Sequence, residues 1–304
     1  MFSEYIDYVK FLKEEFDSSN NISYPLLIHA FEEYQESNNK IMVIGQETNG
    51  WIGDLDFTLS SHDIVVKSIE HYKEFELGNN YYNSPFWRFC KKAKSVLTKS
   101  SNLKEIVWTN LSKFDVDEST PNKDIRNRNK KGYALLKKEI SIFKPDIILF
   151  LTSWKNDEVL MSIFDDVKIS KIDDYSGKYL SRVVSNDLPV NSFRTYHPRF
   201  LPTKKSKYNE NEIIKMIKNN MKNTKSMRDS YIEFFNHFNL NFDSIIDYGL
   251  NNGTIISNDQ ALKANWDSVK NRVEKGGSLY IRKYGAKGEK IIFLRVYIKY
   301  CFQI

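Results

Sequence analysis

The sequence predicts an α/β protein with three α/β/α layers around a central four-stranded parallel sheet. Two observations support this prediction: four short apolar runs have the composition of buried parallel strands, and helical patterns separate them along the chain. Strands that alternate with helices form right-handed crossovers, which make a sheet parallel. The runs are KIMVIGQ at 40–46, EIVWTNL at 105–111, DIILFLT at 146–152 and SFRTYHP at 192–198.

Apolar residues at helical spacing predict the elements around these strands. Pro145 ends one of these helices, because proline cannot continue an α-helix. Residues 117–131 are rich in Asn, Lys and Asp, which indicates an exposed loop. Residues 50–83 form a long insertion rich in polar residues and Tyr, to which the sequence assigns no purpose; the structural alternative is a surface elaboration. The expected helices cover residues 2–16, 24–37, 86–98, 132–143 and about 210–221.

The composition changes after Pro198 and predicts two domains, residues 1–225 and a small α+β unit at 226–304. The last expected strand of the small unit places Phe293, Arg295, Tyr297 and Lys299 on one face. Such a face can contact nucleic acid, but it can equally pack on the first domain or contact another protein. The small unit is expected to contain helices at 229–239 and 258–274 and a β-hairpin that turns at 285–288.

Composition also limits the function classes. The 304 residues carry a net charge of +6, which gives a modest bias toward polyanions such as nucleic acid. Two cysteines, Cys90 and Cys301, are too few for a disulfide framework, a four-cysteine zinc site or an iron–sulfur cubane, so we expect neither a metal nor a cofactor. No signal-peptide pattern or membrane-length apolar run occurs. We therefore expect a monomeric cytoplasmic protein that makes no membrane contact.

Polar side chains follow all four predicted strands. Gln46 and Glu47 end the first strand, Asn110 the second, Thr152 the third and His197 the fourth. In an open parallel sheet, ligands bind in the crevice beyond the carboxyl ends of the strands. Loops are generally polar, but four chemically useful strand ends in one chain favour a ligand site there.

Five short motifs accompany these strands in a fixed order. They are Gly45-Gln46-Glu47, Ser84-Pro85-Phe86-Trp87, Trp108-Thr109-Asn110, Lys144-Pro145 and Tyr196-His197-Pro198. Together they resemble the motifs of the uracil-DNA glycosylase superfamily, over residues 40–202. Each motif alone is weak evidence, whereas five in order, each at the matching strand or helix position, are much more specific.

The resemblance implies a base-excising enzyme in which Glu47 and His197 are catalytic. Breaking an N-glycosidic bond builds positive charge on the sugar and negative charge on the departing base. Glu47 would stabilise the sugar and orient a water, and a neutral His197 would donate a hydrogen bond to the base oxygen, a contribution of roughly 3–4 kcal/mol. The structural alternatives are a turn cap for Glu47 and a packed strand-end histidine for His197.

The resemblance also implies base contacts from Gln46, Asn110 and Phe86. Asn110 would pair with the edge of a flipped pyrimidine and Phe86 would stack on it, although a turn Asn and a core Phe are the structural alternatives. Asn49 occupies the position where the family has a Tyr that crowds the C5 methyl group. A smaller residue there opens the pocket to 5-substituted pyrimidines, unless Trp51 refills the space.

The segment after His197 is expected to hold the DNA. Phe200 or Leu201 would wedge into the minor groove, and Arg199, Lys204 and Lys205 would contact phosphates; the alternative is an ordinary solvated basic loop. This segment departs from the Ser-rich sequence familiar in the family.

Two functional hypotheses follow. The first is a monofunctional DNA glycosylase with a water nucleophile, acting in repair or on a modified base in foreign DNA. The second is a non-catalytic protein of the same fold that binds nucleic acid or senses a modified base. Replacement of Glu47 by Gln discriminates between them, because only an enzyme loses turnover while it still binds DNA.

Overall fold

The computed structural model describes residues 1–81, 84–202 and 206–221, and two short strands farther along the chain. The chain divides into two compact units, Met1–Lys222 and Asn223–Ile304. In the second unit, strands Leu279–Tyr280 and Arg295–Val296 pair antiparallel. The predicted helices at 229–239 and 258–274 lie outside the described residues, as does the hairpin turn at 285–288.

The first unit contains a mixed six-stranded sheet. Its order is β2-β1-β3-β6-β5-β4, in which β2, β1, β3 and β6 pair parallel while β5 and β4 pair antiparallel. The α/β prediction is confirmed, but the sheet is larger than the four parallel strands expected from the sequence. The strands are β1 (Ile41–Gly45), β2 (Ile106–Asn110), β3 (Ile147–Phe150), β4 (Lys168–Lys171), β5 (Leu180–Val184) and β6 (Asn191–Thr195).

Burial explains in part which strands could be predicted. Every residue of β1, β2, β3 and β6 is buried. Strands β1 and β3 are accordingly apolar runs and β2 begins as one, whereas in β6 only Phe193 is apolar. Strand β4 is the edge of the sheet and is mostly exposed, with a lysine at each end. Charged side chains protect an edge strand from pairing with other chains, and they also remove the apolar pattern by which the strand would be recognised.

The described residues contain eight α-helices. Ser60, Ser84 and Asn122 cap three of them through side-chain acceptors. Helix α1 packs on α3 and α6, and α4 packs on α8. The helices are α1 (Phe2–Glu15), α2 (Glu32–Glu36), α3 (Ser61–Phe75), α4 (Pro85–Thr98), α5 (Lys123–Arg128), α6 (Lys130–Phe143), α7 (Asp157–Ile163) and α8 (Glu210–Asn220).

Two predictions about local structure were wrong. The helix expected at 24–37 is confined to α2, because the preceding backbone bonds to neighbouring loops instead: Tyr24 N donates to Gly53 O at 3.0 Å and Leu26 N to Lys113 O at 2.6 Å. The loop expected at 117–131 contains α5, whose N-terminus is capped by Asn122.

A wholly buried ion pair fixes the segment that follows β2. Lys113 and Glu139 are both fully buried, and the Lys113 ammonium donates to the Glu139 carboxylate and to Thr109 Oγ1. Tyr5 also donates to Glu139, at 3.4 Å. Buried charges must be paired and hydrogen-bonded to be tolerated, so this network ties α1 and α6 to the end of β2.

Among the described residues, no helix is both long and apolar enough to cross a lipid bilayer.

Candidate active site

The parallel strands bring their carboxyl ends together at one edge of the sheet. Beyond the strands, Leu111 N donates to Gly45 O at 3.0 Å and Ser112 N to Gln46 O at 2.8 Å. The Gln46 amide donates to Thr152 O at 2.8 Å, and Ser153 N donates to Thr195 O at 2.9 Å. The polar strand ends recognised in the sequence are therefore neighbours.

Glu47 follows β1 and lies partly buried at the rim of this edge. Its Oε1 accepts a hydrogen bond from Thr120 Oγ1 at 2.8 Å. Burial raises the pKa of Glu47 above its ordinary value, the Thr120 hydrogen bond opposes that rise, and the negative charge of Asp115 adds to it. A raised pKa makes a carboxylate a stronger proton acceptor.

Asp115 holds the loop that carries Glu47, and the sequence did not reveal this role. It is buried, and its Oδ2 accepts hydrogen bonds from Ser23 Oγ at 3.0 Å, from Thr48 Oγ1 and from Gly50 N at 3.0 Å. Its Oδ1 accepts from Glu118 N at 3.1 Å. The sequence shows only an acid between two apolar residues, Phe114 and Val116, in a mixed stretch after β2. We name residues 46–50 the β1 loop.

Asn110 lies buried beneath Gly45 in the adjacent strand. A Cβ on Gly45 would collide with Asn110 Oδ1 and would lie 3.5 Å from the Phe86 ring, so only glycine leaves room for this amide. Trp108 Nε1 donates to Asn110 Oδ1 at 3.1 Å, which fixes the orientation of the amide. No described residue accepts a hydrogen bond from Asn110 Nδ2. The amide therefore offers a donor to a ligand.

Two further buried polar groups at this edge lack partners. Thr152 Oγ1 and Ser153 Oγ have no hydrogen-bond partner among the described residues. Ser153 also has a φ of +64°, a backbone conformation that residues other than glycine rarely adopt. Buried polar groups are nearly always hydrogen-bonded in native proteins, and strained backbone is concentrated at functional sites. These features, together with Asn110 Nδ2, show that the edge has hydrogen-bonding groups that a ligand or an ordered water can satisfy.

An aromatic cluster supports Asn110 from behind. Trp108 packs against Trp51 and Trp87 with ring centroids 5.4 and 5.2 Å apart, and Tyr72 exchanges hydrogen bonds with the Trp108 backbone at 2.9 and 3.1 Å. Trp51 and Tyr72 belong to the insertion at 50–83, as does Phe75, which also contacts Trp108. The insertion therefore contributes to the core behind the site and is more than a surface elaboration.

His197 stacks on Phe86, with ring centroids 5.7 Å apart and an interplanar angle of 26°. Burial, helped by the charge of Arg199, lowers the pKa of His197 to about 4, so the imidazole is neutral near pH 7. Its Nδ1 accepts a hydrogen bond from Arg199 N at 3.3 Å. The proton of the neutral ring must then be on Nε2, which makes Nε2 a hydrogen-bond donor.

The segment after His197 is short and exposed. Pro198–Phe200 form a single 3-10 turn; the Arg199 side chain is exposed, the Phe200 side chain is 64% exposed, and Leu201 is partly buried. We name residues 196–201 the β6 loop. Lys204 and Lys205 lie outside the described residues. Asn49 is exposed in the β1 loop, while the buried Trp51 packs into the aromatic cluster.

Among the described residues, no three His, Cys, Asp or Glu side chains are grouped so that they could hold a metal ion. Comparison of the chain with models of known protein families gave no match, and comparison with curated proteins gave none either.

Proposed function

We propose that the chain is a monofunctional DNA glycosylase that hydrolyses the N-glycosidic bond of uracil, or of a modified pyrimidine, flipped out of DNA. The observation that carries the proposal is the set of polar side chains at the carboxyl edge of the sheet: Asn110 ends β2 and Glu47 follows the neighbouring β1. At the same edge His197 follows β6 and stacks on Phe86 of α4. We also infer that helices cover both faces of the four parallel strands, and that residues 226–304 form a separate domain.

In the proposed reaction, water supplies the oxygen that bonds to the sugar C1′. The bond from C1′ to the base nitrogen breaks, its electron pair goes to the base, and the water proton goes to the Glu47 carboxylate. The carboxylate also stabilises positive charge on the sugar. His197 Nε2–H donates to the base oxygen on which negative charge develops, in the manner of an oxyanion hole. No lysine lies in a motif position, so no Schiff base and no strand cleavage are proposed.

Base recognition in this proposal rests on Asn110 and Phe86. Because Trp108 holds Asn110 Oδ1, the amide presents Nδ2 and selects a base with a hydrogen-bond acceptor, such as a carbonyl oxygen. Phe86 stacks on the base. Gln46 has its amide nitrogen committed to Thr152 O, so its contribution comes from Oε1 or the backbone.

The β6 loop would hold the DNA around the flipped nucleotide. Phe200, with most of its side chain exposed, would fill the gap left in the duplex; Leu201 is the alternative wedge. Arg199 would contact phosphate, as would Lys204 and Lys205 farther along the chain.

The deciding experiment measures base release from oligonucleotides that contain uracil, mismatched thymine, hypoxanthine or bulky 5-substituted cytosines, with alkali treatment to reveal abasic sites. We expect release by the wild type and a fall of about 100- to 10 000-fold for Glu47→Gln, the range for loss of a general base. The exposed Glu36→Gln is the matched control and should behave as wild type.

The same panel distinguishes the two hypotheses. DNA binding by the wild type without release of any base would reject the enzyme and support a non-catalytic base sensor. Release of bases with thymine-sized or larger C5 substituents would support Asn49 as a pocket opener, whereas release confined to uracil would reject that role.

A further inference from the structure

Five aromatic side chains form a continuous chain on the surface beside His197. Trp154 Nε1 donates to Tyr196 OH at 2.8 Å, and Tyr196 contacts Tyr179 with ring centroids 5.1 Å apart. Tyr179 stacks on Tyr208 at 4.2 Å and 10°, and Tyr208 meets Tyr175 edge-on at 5.4 Å. We name these five residues the aromatic track.

The aromatic track is assembled from segments far apart in the sequence. Trp154 follows β3, Tyr196 follows β6, Tyr175 and Tyr179 lie between β4 and β5, and Tyr208 precedes α8. None of the five side chains is fully buried, and Trp154 is 38% exposed. A core cluster would bury such large rings. Contiguous exposed aromatic surface instead marks interaction sites.

Cationic side chains accompany the rings. The Lys178 ammonium lies 5.1 Å from the centre of the Trp154 ring, and the Lys207 ammonium lies 5.2 Å from that of Tyr208. Cations over aromatic faces hold the rings in place. Tyr208 already stacks on Tyr179, so the face of Trp154 opposite Lys178 is the one that we expect a base to use. Near the start of the aromatic track, Arg199 adds a further exposed cation.

We propose that the aromatic track binds single-stranded nucleic acid, with bases stacked on its rings and phosphates near Lys178 and Lys207. Aromatic faces interleaved with cations are the recurrent design of proteins that bind unpaired strands. Bases in a duplex stack on one another and do not expose their faces, so a duplex would not use these rings. The cations favour a polyanion over an apolar protein partner.

The two ends of the aromatic track differ in charge. Trp154 lies at the cationic end, beside Lys178 and Lys155. Tyr175 lies at the acidic end, where Asp173 and Asp174 precede it, and burial together with the charge of Glu212 raises its pKa. The strand therefore binds most tightly at the Trp154–Tyr196 end, and replacement of Tyr175 should matter least.

The test measures binding of the full-length protein to labelled oligo(dT) and oligo(U) of about 12 nucleotides, a typical site length, and to a duplex of equal length. These ligands need contain no excisable base, so binding can succeed where base release fails. Trp154→Ala should weaken single-strand binding about 10-fold, the effect of one lost base stack, while Trp154→Phe should retain most of it.

Further variants test the phosphate contact of Lys178 and control for changes elsewhere on the surface. Lys178→Gln should lessen the salt dependence, changing the slope of log Kd against log salt by about 0.7, as for one phosphate contact with a single strand. Lys10→Gln and Phe2→Ala, at exposed positions on α1, should leave binding unchanged.

Three outcomes would overturn the proposal. They are equal affinity for duplex and single strand, unchanged binding by a folded Trp154→Ala protein, and a loss as large for Phe2→Ala as for Trp154→Ala. A preference between oligo(dT) and oligo(U) would name the strand as DNA or RNA. Base release that persists while Trp154→Ala binds normally would reject the aromatic track without rejecting the glycosylase.

Discussion

The β1 loop and the β6 loop carry the two proposed catalytic side chains but are held in different ways. The β1 loop is fixed from outside, because buried Asp115 accepts hydrogen bonds from Thr48 and Gly50. The β6 loop is fixed mainly from within, by Phe200 N donating to His197 O at 2.9 Å and by Arg199 N donating to His197 Nδ1. This difference fits the proposed function, in which the Glu47 carboxylate keeps its position against the sugar while the β6 loop adapts to the DNA.

The largest expected effect on stability comes from removing the hydrogen bonds that hold the β1 loop. Asp115→Asn replaces one carboxylate oxygen by an NH₂ group, which must face at least one of the present donors. We expect the free energy of unfolding to fall by about 2–3 kcal/mol, the range for hydrogen bonds to a charged group, and base release to slow. Chemical denaturation measures the first effect and single-turnover kinetics the second.

The matched control is Asp117→Asn. Asp117 is exposed and accepts a hydrogen bond from Asn21 Nδ2 at 3.0 Å, so the free energy of unfolding should change by no more than about 0.5 kcal/mol. Equal losses for the two variants would show that Asp115 has no special role in the β1 loop.

Asp115 also shows where prediction from the sequence stops. The strands β1, β2 and β3 could be predicted because a fully buried parallel strand is largely a local apolar run. Strand β6 is equally buried, but its sequence NSFRT is mostly polar, so burial does not explain its prediction. Strands β4 and β5 could not be predicted, because they are partly exposed and depend on antiparallel pairing, β5 with β6 and β4 with β5. Ser23 and Asp115 are 92 positions apart, and no local sequence pattern predicts their contact.

The candidate site divides in the same way. Gln46, Glu47, Asn110 and His197 follow predictable strands, so their neighbourhood could be inferred from topology alone. The orientation of Asn110 could not, because it depends on an indole N–H two residues earlier in the same strand. The aromatic track also depends on tertiary contacts between loops.

The second prediction tests the hydrogen bond from Trp108 Nε1 that orients the Asn110 amide. Trp108→Phe keeps an aromatic ring but removes the donor to Asn110 Oδ1, so the amide is free to turn. Discrimination between uracil and cytosine should fall about 10-fold, equivalent to ~1.4 kcal/mol. Rates of base release from paired uracil and cytosine oligonucleotides measure the ratio.

Trp87→Phe is the control for this change, because Trp87 packs on Trp108 at 5.2 Å in the same aromatic cluster. Trp87→Phe should lower stability as Trp108→Phe does. It should leave unchanged the ratio of the base-release rates from uracil and cytosine oligonucleotides. If both variants change the ratio alike, packing and not the hydrogen bond sets selectivity.

The third prediction concerns the pH dependence of activity. It assigns the loss of activity at low pH, the acid limb of the pH profile, to Glu47 in the β1 loop. Glu47 must be ionised to act, and burial raises its pKa, so activity should be lost as pH falls through a value above 4.5. His197 must be neutral, and its pKa of about 4 leaves it neutral throughout that range. The profile of kcat/KM should therefore show no inflection near 6.5, the ordinary pKa of histidine.

Asp115→Asn sharpens this assignment. The negative charge of Asp115 helps to raise the pKa of Glu47, so its removal should move the acid limb to lower pH. An acid limb near 6.5 that moves only when Arg199 is changed would instead assign the titration to His197.

The smallest expected effect on stability comes from the tip of the β6 loop. Phe200 is 64% exposed, so Phe200→Ala should change the free energy of unfolding by no more than about 0.5 kcal/mol. If the ring fills the gap left by a flipped base, release from duplex DNA should fall about 5-fold, equivalent to ~1 kcal/mol, while release from a single strand stays the same. Phe2→Ala, at another exposed aromatic position, should change neither rate. Equal losses on duplex and single strand would mean that Phe200 acts through His197, whose ring it contacts at 6.0 Å, and that the β6 loop is not a wedge.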